Sequence, residues 1–141
     1  MAVHVLAVLA YKEGDRVSSA LLASSVNTNP VIIRRLLSAL QHAKLVETCK
    51  GRGAGSRLGR APGRITLDEV YQAVENEAPF ILPRHRANGA CPVGQAIGRV
   101  MRTVFSSAQT ALQQELAKTT LASVLEVVKA GTRPTSATAR E

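Results

Sequence analysis

The side chains able to do chemistry in this chain are mostly cations, together with two thiols. In NPVIIRRLLSALQHAKLV (29–46), Arg34 and Arg35 stand with Val31 and Ser38 away from an apolar stripe of Ile33, Leu36, Leu37 and Leu40. A guanidinium is a planar fork of donors that matches phosphate oxygens and the O6/N7 edge of guanine. A second cationic group, Lys50, Arg52, Arg57 and Arg60, brackets the glycine-rich KGRGAG at 50–55. Small residues allow a tight turn there, and the cations can reach a phosphate backbone. That loop is not a nucleotide cradle, because Pro62 and Gly63 precede any helix and no Gly-Lys-Ser/Thr follows. No paired carboxylates in a plausible cleft, no Ser/His/Asp arrangement and no metal-spaced His/Cys cluster point to an enzyme.

Those cations need elements to hold them. Asn29 is a good N-cap and Pro30 fits the first helical position, where a missing N–H costs nothing. A shorter helix at about 18–25 precedes it, with Leu21, Leu22 and Val26 as its apolar face. Short helix, polar turn and longer helix with a cationic outer face form a helix-turn-helix pattern. LVETC (45–49) and SRLGR (56–60) read as strands of a β-hairpin around the glycine-rich tip. Ahead of the pair, VHVLAVLAY (3–11) is an apolar helix in which His4 is a packed or rim histidine rather than a ligand. Thr66 and Glu69 form a T-x-x-E capping box opening a helix with Leu67, Val70, Tyr71 and Val74 inward.

The charge is unevenly spread. Residues 1–64 hold ten Lys and Arg against three acids, a net of +7, whereas 65–141 are nearly balanced. A basic half centred on a helix-turn-helix favours a polyanionic partner over an ordinary solvated face. With 45% hydrophobic and 3% aromatic residues, the core is aliphatic and the chain is one domain, or one domain plus an appendage. No apolar run is long enough to span a bilayer and the start lacks a signal-peptide pattern, so a cytoplasmic location is expected. Two cysteines, Cys49 and Cys91, are too few for a disulfide scaffold.

After Glu77 the periodicity breaks in a proline-bearing linker. A long helix then runs from about Pro92 to Lys118, with Ile97, Met101, Val104, Ala108 and Ala111 at alternating spacings of four and three. Val100, Phe105, Leu112 and Leu116 widen the stripe. A helix this long with a broad apolar face must bury it, and a second subunit is the natural partner. Thr120 caps a last helix with Leu121, Val124, Leu125 and Val128 on one side. The tail has no apolar content to order it. The expected division is a DNA-binding domain at 1–77, a linker at 78–92, dimerisation helices at 93–130 and a disordered tail at 131–141. The fold class is mainly α: a winged helix-turn-helix with a small β-hairpin wing and a long C-terminal dimerisation helix.

NPVIIRRLLSALQHAKLV (29–46), GRGAGSRL (51–58), ITLDEVYQAVE (65–75) and CPVGQAIGRVMRTVFSSAQTALQQELAKTTLASVL (91–125) together resemble the Rrf-two family of bacterial transcription regulators, over about four fifths of the chain. The resemblance implies a winged-helix homodimer that binds a pseudo-palindromic double-stranded DNA operator, most simply as a repressor. It implies recognition through the helix starting at Asn29 and dimerisation through the long helix. Relatives that bind an iron–sulfur cluster carry three linker cysteines; this linker has only Cys91, so no cofactor is expected. Two further departures are a short segment ahead of the first helix, and Ser56 where many relatives have a wing aromatic.

The expected DNA-facing residues are Ser18, Ser19, Thr28, Asn29, Val31, Arg34, Arg35 and Ser38 from the helix pair, with Arg52 and Arg57 from the wing. The alternative is a basic nucleoid-type or RNA-binding protein without sequence preference. Cys91 is the candidate redox sensor. It stands at the positive end of the long helix, near Arg84 and Arg86 in sequence, a setting that favours the anionic form of a thiol. Cys49, beside the wing, is expected to be packed and inert.

Overall fold

A computed structural model describes residues 1–12, 14–75, 79–82, 85 and 87–131. Its elements, in chain order, are α1 (Ala2–Tyr11), α2 (Ser19–Val26), α3 (Pro30–His42), β1 (Val46–Cys49), β2 (Gly55–Leu58), α4 (Leu67–Val74), α5 (Pro92–Ala117) and α6 (Leu121–Gly131). A short 3₁₀ turn, Pro62–Arg64, which the sequence pattern did not indicate, connects β2 to α4.

The helix ends are set locally. Ser18 Oγ accepts from the Leu21 N–H at 3.2 Å and starts α2. Asn27 takes a left-handed conformation (φ 56°) that ends it, and the Thr28 N–H closes back on the Ala23 carbonyl at 2.9 Å. Asn29 Oδ1 then accepts from the Val31 N–H at 2.8 Å, with Pro30 in the first turn of α3. The Thr66–Glu69 capping box forms in both directions at the start of α4.

β1 and β2 pair antiparallel, Val46 opposite Leu58 through Cys49 opposite Gly55. Val17 adds a one-residue third strand, exchanging backbone hydrogen bonds with Ser56 at 2.8 and 2.9 Å. Gly55 makes this possible: a Cβ there would stand 3.1 Å from the Val17 carbonyl oxygen and 3.0 Å from Arg16 Cβ. The wing is therefore stitched to the segment leading into α2 close to its turn, one pair below Cys49 and Gly55. Ser56 is 1% exposed and its hydroxyl meets Thr48 Oγ1 at 3.0 Å, so this position belongs to the interior face of the hairpin and not to its DNA-reaching tip.

One aliphatic core joins the helix-turn-helix to α1 and α6. Val5, Leu6 and Leu9 of α1 meet Leu22, Ile33, Leu37, Leu40, Leu45, Val46, Ile65 and Val70. Leu121 and Leu125 of α6 complete the same core, and α6 packs against α1. The Leu121 N–H donates to the Ile65 carbonyl at 2.8 Å and the Leu67 N–H to the Thr119 carbonyl at 2.9 Å. Within the group expected at 93–130, α6 packs on α1 and bonds to Ile65, whereas α5 buries none of its residues. Leu21, expected inward, is 49% exposed; the buried face of α2 is Leu22 and Ala23.

α5 spans 26 residues and none of them is buried. Val93, Ile97, Val100, Val104 and Ala111 are all exposed, at spacings of four, three, four and seven that follow a coiled-coil seam. Met101 and Ala108 of the expected stripe lie half-buried at its edge. No described helix is long and apolar enough to cross a membrane. The tail from 132 onward, together with Arg84 and Arg86, lies outside the described residues.

Arg60 crosses from the end of the hairpin to α4 and donates to Glu69 Oε1 at 2.8 Å. The Glu69 carboxyl is held below its usual value of 4.5, first by the Thr66 backbone N–H and then by the Arg60 guanidinium. A lowered folded-state pKa contributes stability that is complete above the unfolded value and is lost as pH falls through the folded one. The stability difference between wild type and Glu69→Gln should be present at neutral pH and vanish on acidification below that lowered pKa, measured by denaturant titration at each pH. It should be small, because both side chains remain more than a third exposed. A difference that persists unchanged at the lowest pH would show that the charge is not the source.

Candidate nucleic-acid interface

The amphipathic pattern of α3 turns Ile33, Leu37 and Leu40 into the core and leaves Val31, Arg34, Arg35 and Ser38 exposed. No ion pair holds either arginine among the described residues. Thr28 and Asn29 lead into this face, though Asn29 has committed its side-chain oxygen to the cap. Between α3 and the wing runs a groove of about 440 Å³. Ser18 and Ser19 come from the start of α2, Arg34, Ser38 and Gln41 from α3, and Thr48, Cys49 and Lys50 from the hairpin. Two cations and several hydroxyl or amide groups line it, and no carboxylate does. Such a surface offers donors and positive charge to a polyanion without an opposing repulsive group.

The wing cations are not equivalent. Arg52 is exposed at the tip. Arg57 is ion-paired with Glu47 directly across the hairpin, Nε and Nη2 lying 3.0 and 2.8 Å from Oε2. Arg60, which the sequence put near the tip, is turned onto α4 by Glu69. Cys49 also departs from expectation. It is exposed and borders the groove, because an edge position of a two-stranded hairpin has only one covered face. Gln41 and Lys50 also line the groove; neither is among the expected DNA contacts, although the helical pattern puts Gln41 on the outer face with Arg34, Arg35 and Ser38, and Lys50 belongs to the wing charge. Cys91 is half-buried at the N-cap of α5, and its side chain makes no capping hydrogen bond.

Comparison with known proteins agrees with this geometry. The family model Rrf2, described as an iron-dependent transcriptional regulator, matches residues 1–127. YwnA of Bacillus subtilis (strain 168), an HTH-type transcriptional regulator by name, is 36% identical over 125 residues, covering 89% of this chain and 92% of that protein. A crystallised DNA-binding protein superposes with a TM-score of 0.71 at 35% identity, over 88% of this chain and 95% of its own. CymR, the global cysteine regulator of B. subtilis, shares the fold with a TM-score of 0.65 at 22% identity, covering 89% and 91% of the two chains.

The iron in the family's description does not suit the donors present. The chain has two cysteines, one on the wing strand and one at the start of α5, and no group of three or more His, Cys, Asp or Glu among the described residues could hold a metal ion. An iron–sulfur centre needs about four protein ligands, mostly thiolates. The matched length, the capped helix pair and the cationic wing lead to one identification: the chain belongs to the Rrf2 family of DNA-binding transcriptional regulators, which are not enzymes.

Proposed function

We propose that the protein is a homodimeric repressor that binds a pseudo-palindromic operator, reading sequence with the first turns of α3. The observation that carries this is the exposed Val31, Arg34, Arg35 and Ser38 face beside a groove without carboxylates. Residues 1–77 with α6 form the DNA-binding body, and α5 is the dimerisation helix through Ile97, Val104 and Ala111, flanked by Met101 and Ala108. Two such bodies related by a two-fold axis present two recognition helices to two half-sites. A dimer seated on its operator excludes other proteins from that stretch, which is the simplest regulatory act. Selection of bound fragments from genomic DNA should return one inverted-repeat motif. Recovery of fragments with no shared motif would instead establish the second reading, a basic nucleoid-type protein.

The wing supplies charge rather than readout. Arg52→Ala should weaken binding on every sequence and reduce the salt slope by about 0.9 for one lost phosphate contact. Arg57→Ala should act in the same direction but less, since Glu47 already holds that guanidinium. An unchanged slope in the double variant would take the wing out of the interface.

Cys91 is the proposed redox-sensing thiol, lying where the linker meets α5. Operator affinity should fall on peroxide treatment of wild type and Cys49→Ser but not of Cys91→Ser. Protection by Cys49→Ser alone would move the effect to the groove thiol, where an added group stands in the path of DNA.

A further inference from the structure

We propose that the cavity between the linker and the first half of α5 is a binding site for a small apolar anion, an aromatic ring bearing a carboxylate or sulfonate. The cavity measures about 920 Å³, within the range of about 300–1,000 Å³ usual for small-molecule sites. Leu82, Ile97, Met101 and Phe105 supply apolar walls, and His85, Arg99 and Arg102 supply the polar ones. Among the described residues no Asp or Glu lines it and neither arginine is in an ion pair. Phe80 stacks on Phe105 at 5.5 Å, holding the linker against the helix. Cys91 is not among the lining residues, so the site is separate from the proposed thiol.

Two glycines show how the space arises. Gly94 and Gly98 stand one turn apart on α5, and both border the cavity. Each costs the helix about 1 kcal/mol relative to alanine. At Gly94 the reason is packing: a Cβ would collide with the Asn88 carbonyl oxygen. That strap is tied down further by the Gln95 side chain, which donates to the Gly89 carbonyl at 2.7 Å. Gly98 has no such reason. Its nearest neighbour would be an Arg102 guanidinium nitrogen at 3.7 Å, an ordinary contact. The missing side chain lets the Arg102 guanidinium lie against bare helix on the cavity wall, the arrangement an aromatic acid fits: acidic group on the arginine, ring against Ile97, Met101 and Phe105.

The proposal deepens the regulator reading by naming an effector class, and rests on it only for coupling to DNA. Ile97 belongs to both the cavity wall and the exposed seam, so an occupant bears on the helix proposed to pair. The test needs no operator, and its failure is therefore distinct from failure of that reading. The probe is 8-anilinonaphthalene-1-sulfonate, with N-phenyl-1-naphthylamine as its neutral counterpart, titrated by fluorescence into the full chain. The expected result is saturable sulfonate binding at one site per chain. Gly98→Leu, which fills the cavity, should weaken it at least tenfold with the melting temperature and elution volume retained. Arg102→Gln should weaken the sulfonate at least fivefold and the neutral probe less than twofold. No saturable binding to wild type, as when a second copy fills the space, would overturn the proposal. Full affinity in a folded Gly98→Leu protein, or equal loss of both probes in Arg102→Gln, would do the same. If Gly98→Leu does not fold, the Arg102→Gln comparison decides alone.

Discussion

Val104→Glu should convert the protein to monomers or precipitate it, and the soluble fraction should lose operator affinity by two orders of magnitude or more. Val104 is 51% exposed in the middle of α5, flanked by Val100 at 53% and Ile97 at 43%. A helix of 26 residues with no buried side chain does not gain its stability from its own chain's core. Pairing the seam with a second copy would remove several valine and isoleucine side chains from water, about 1.5–3 kcal/mol for each when fully buried. A carboxylate at the centre would have to be desolvated without a partner, at a cost of several kcal/mol. Loss of the pair also removes the gain from linking two half-sites, typically about 10²- to 10⁴-fold. Light scattering after gel filtration and a mobility-shift titration read both effects. A dimeric Val104→Glu protein with wild-type affinity would move the interface elsewhere.

Arg34→Ala should lower operator affinity by about 5- to 150-fold and relax preference at one base pair of each half-site, the equivalent of about 1–3 kcal/mol per bidentate contact to guanine. Arg34 is the arginine that lines the groove, whereas Arg35 lies further round the helix. The decisive quantity is the ratio of operator to random-DNA affinity at one salt concentration. An equal loss on both would make Arg34 a phosphate contact, and the reading residue would then be sought at Val31 or Ser38.

Much of the scaffold was legible because its signals are local. Asn29-Pro30 and the Thr66–Glu69 pair announce helix starts through hydrogen bonds made within three residues, and α3 has a clear stripe. In α2 the inward face is less legible, because Leu21 and Leu22 are adjacent on an eight-residue helix of small residues, where spacing alone does not say which one faces inward. Arg60 turns away from the tip because its partner, Glu69, lies nine residues on, across a 3₁₀ turn that no sequence period marks. A cysteine in the LVETC strand reads as packed, but β1 pairs with β2 alone among the described strands, and Cys49 is exposed. The return of α6 to α1 depends on two leucines that would serve a dimer interface equally well as a pattern. Candidate contacts on α3 were legible as an outer face, whereas the groove is a meeting of three elements and exists only in three dimensions.

The long helix also has a mechanical meaning. Its C-terminal end is fastened to the DNA-binding body through the backbone bonds of Thr119 and Leu121, while its far end carries the linker strap. At 26 residues and 1.5 Å per residue it is a rod of about 39 Å. Pivoting such a rod by about 5° sweeps its free end through about 3 Å, close to the 3.4 Å rise of one nucleotide step. Gly98 stands about 28 Å from the fastened end at 1.5 Å per residue, so a shift of about 1.5 Å beside it, the length of one C–C bond, turns the rod by about 3° against the DNA-binding body: the long arm makes the coupling a small rotation of one body relative to the other.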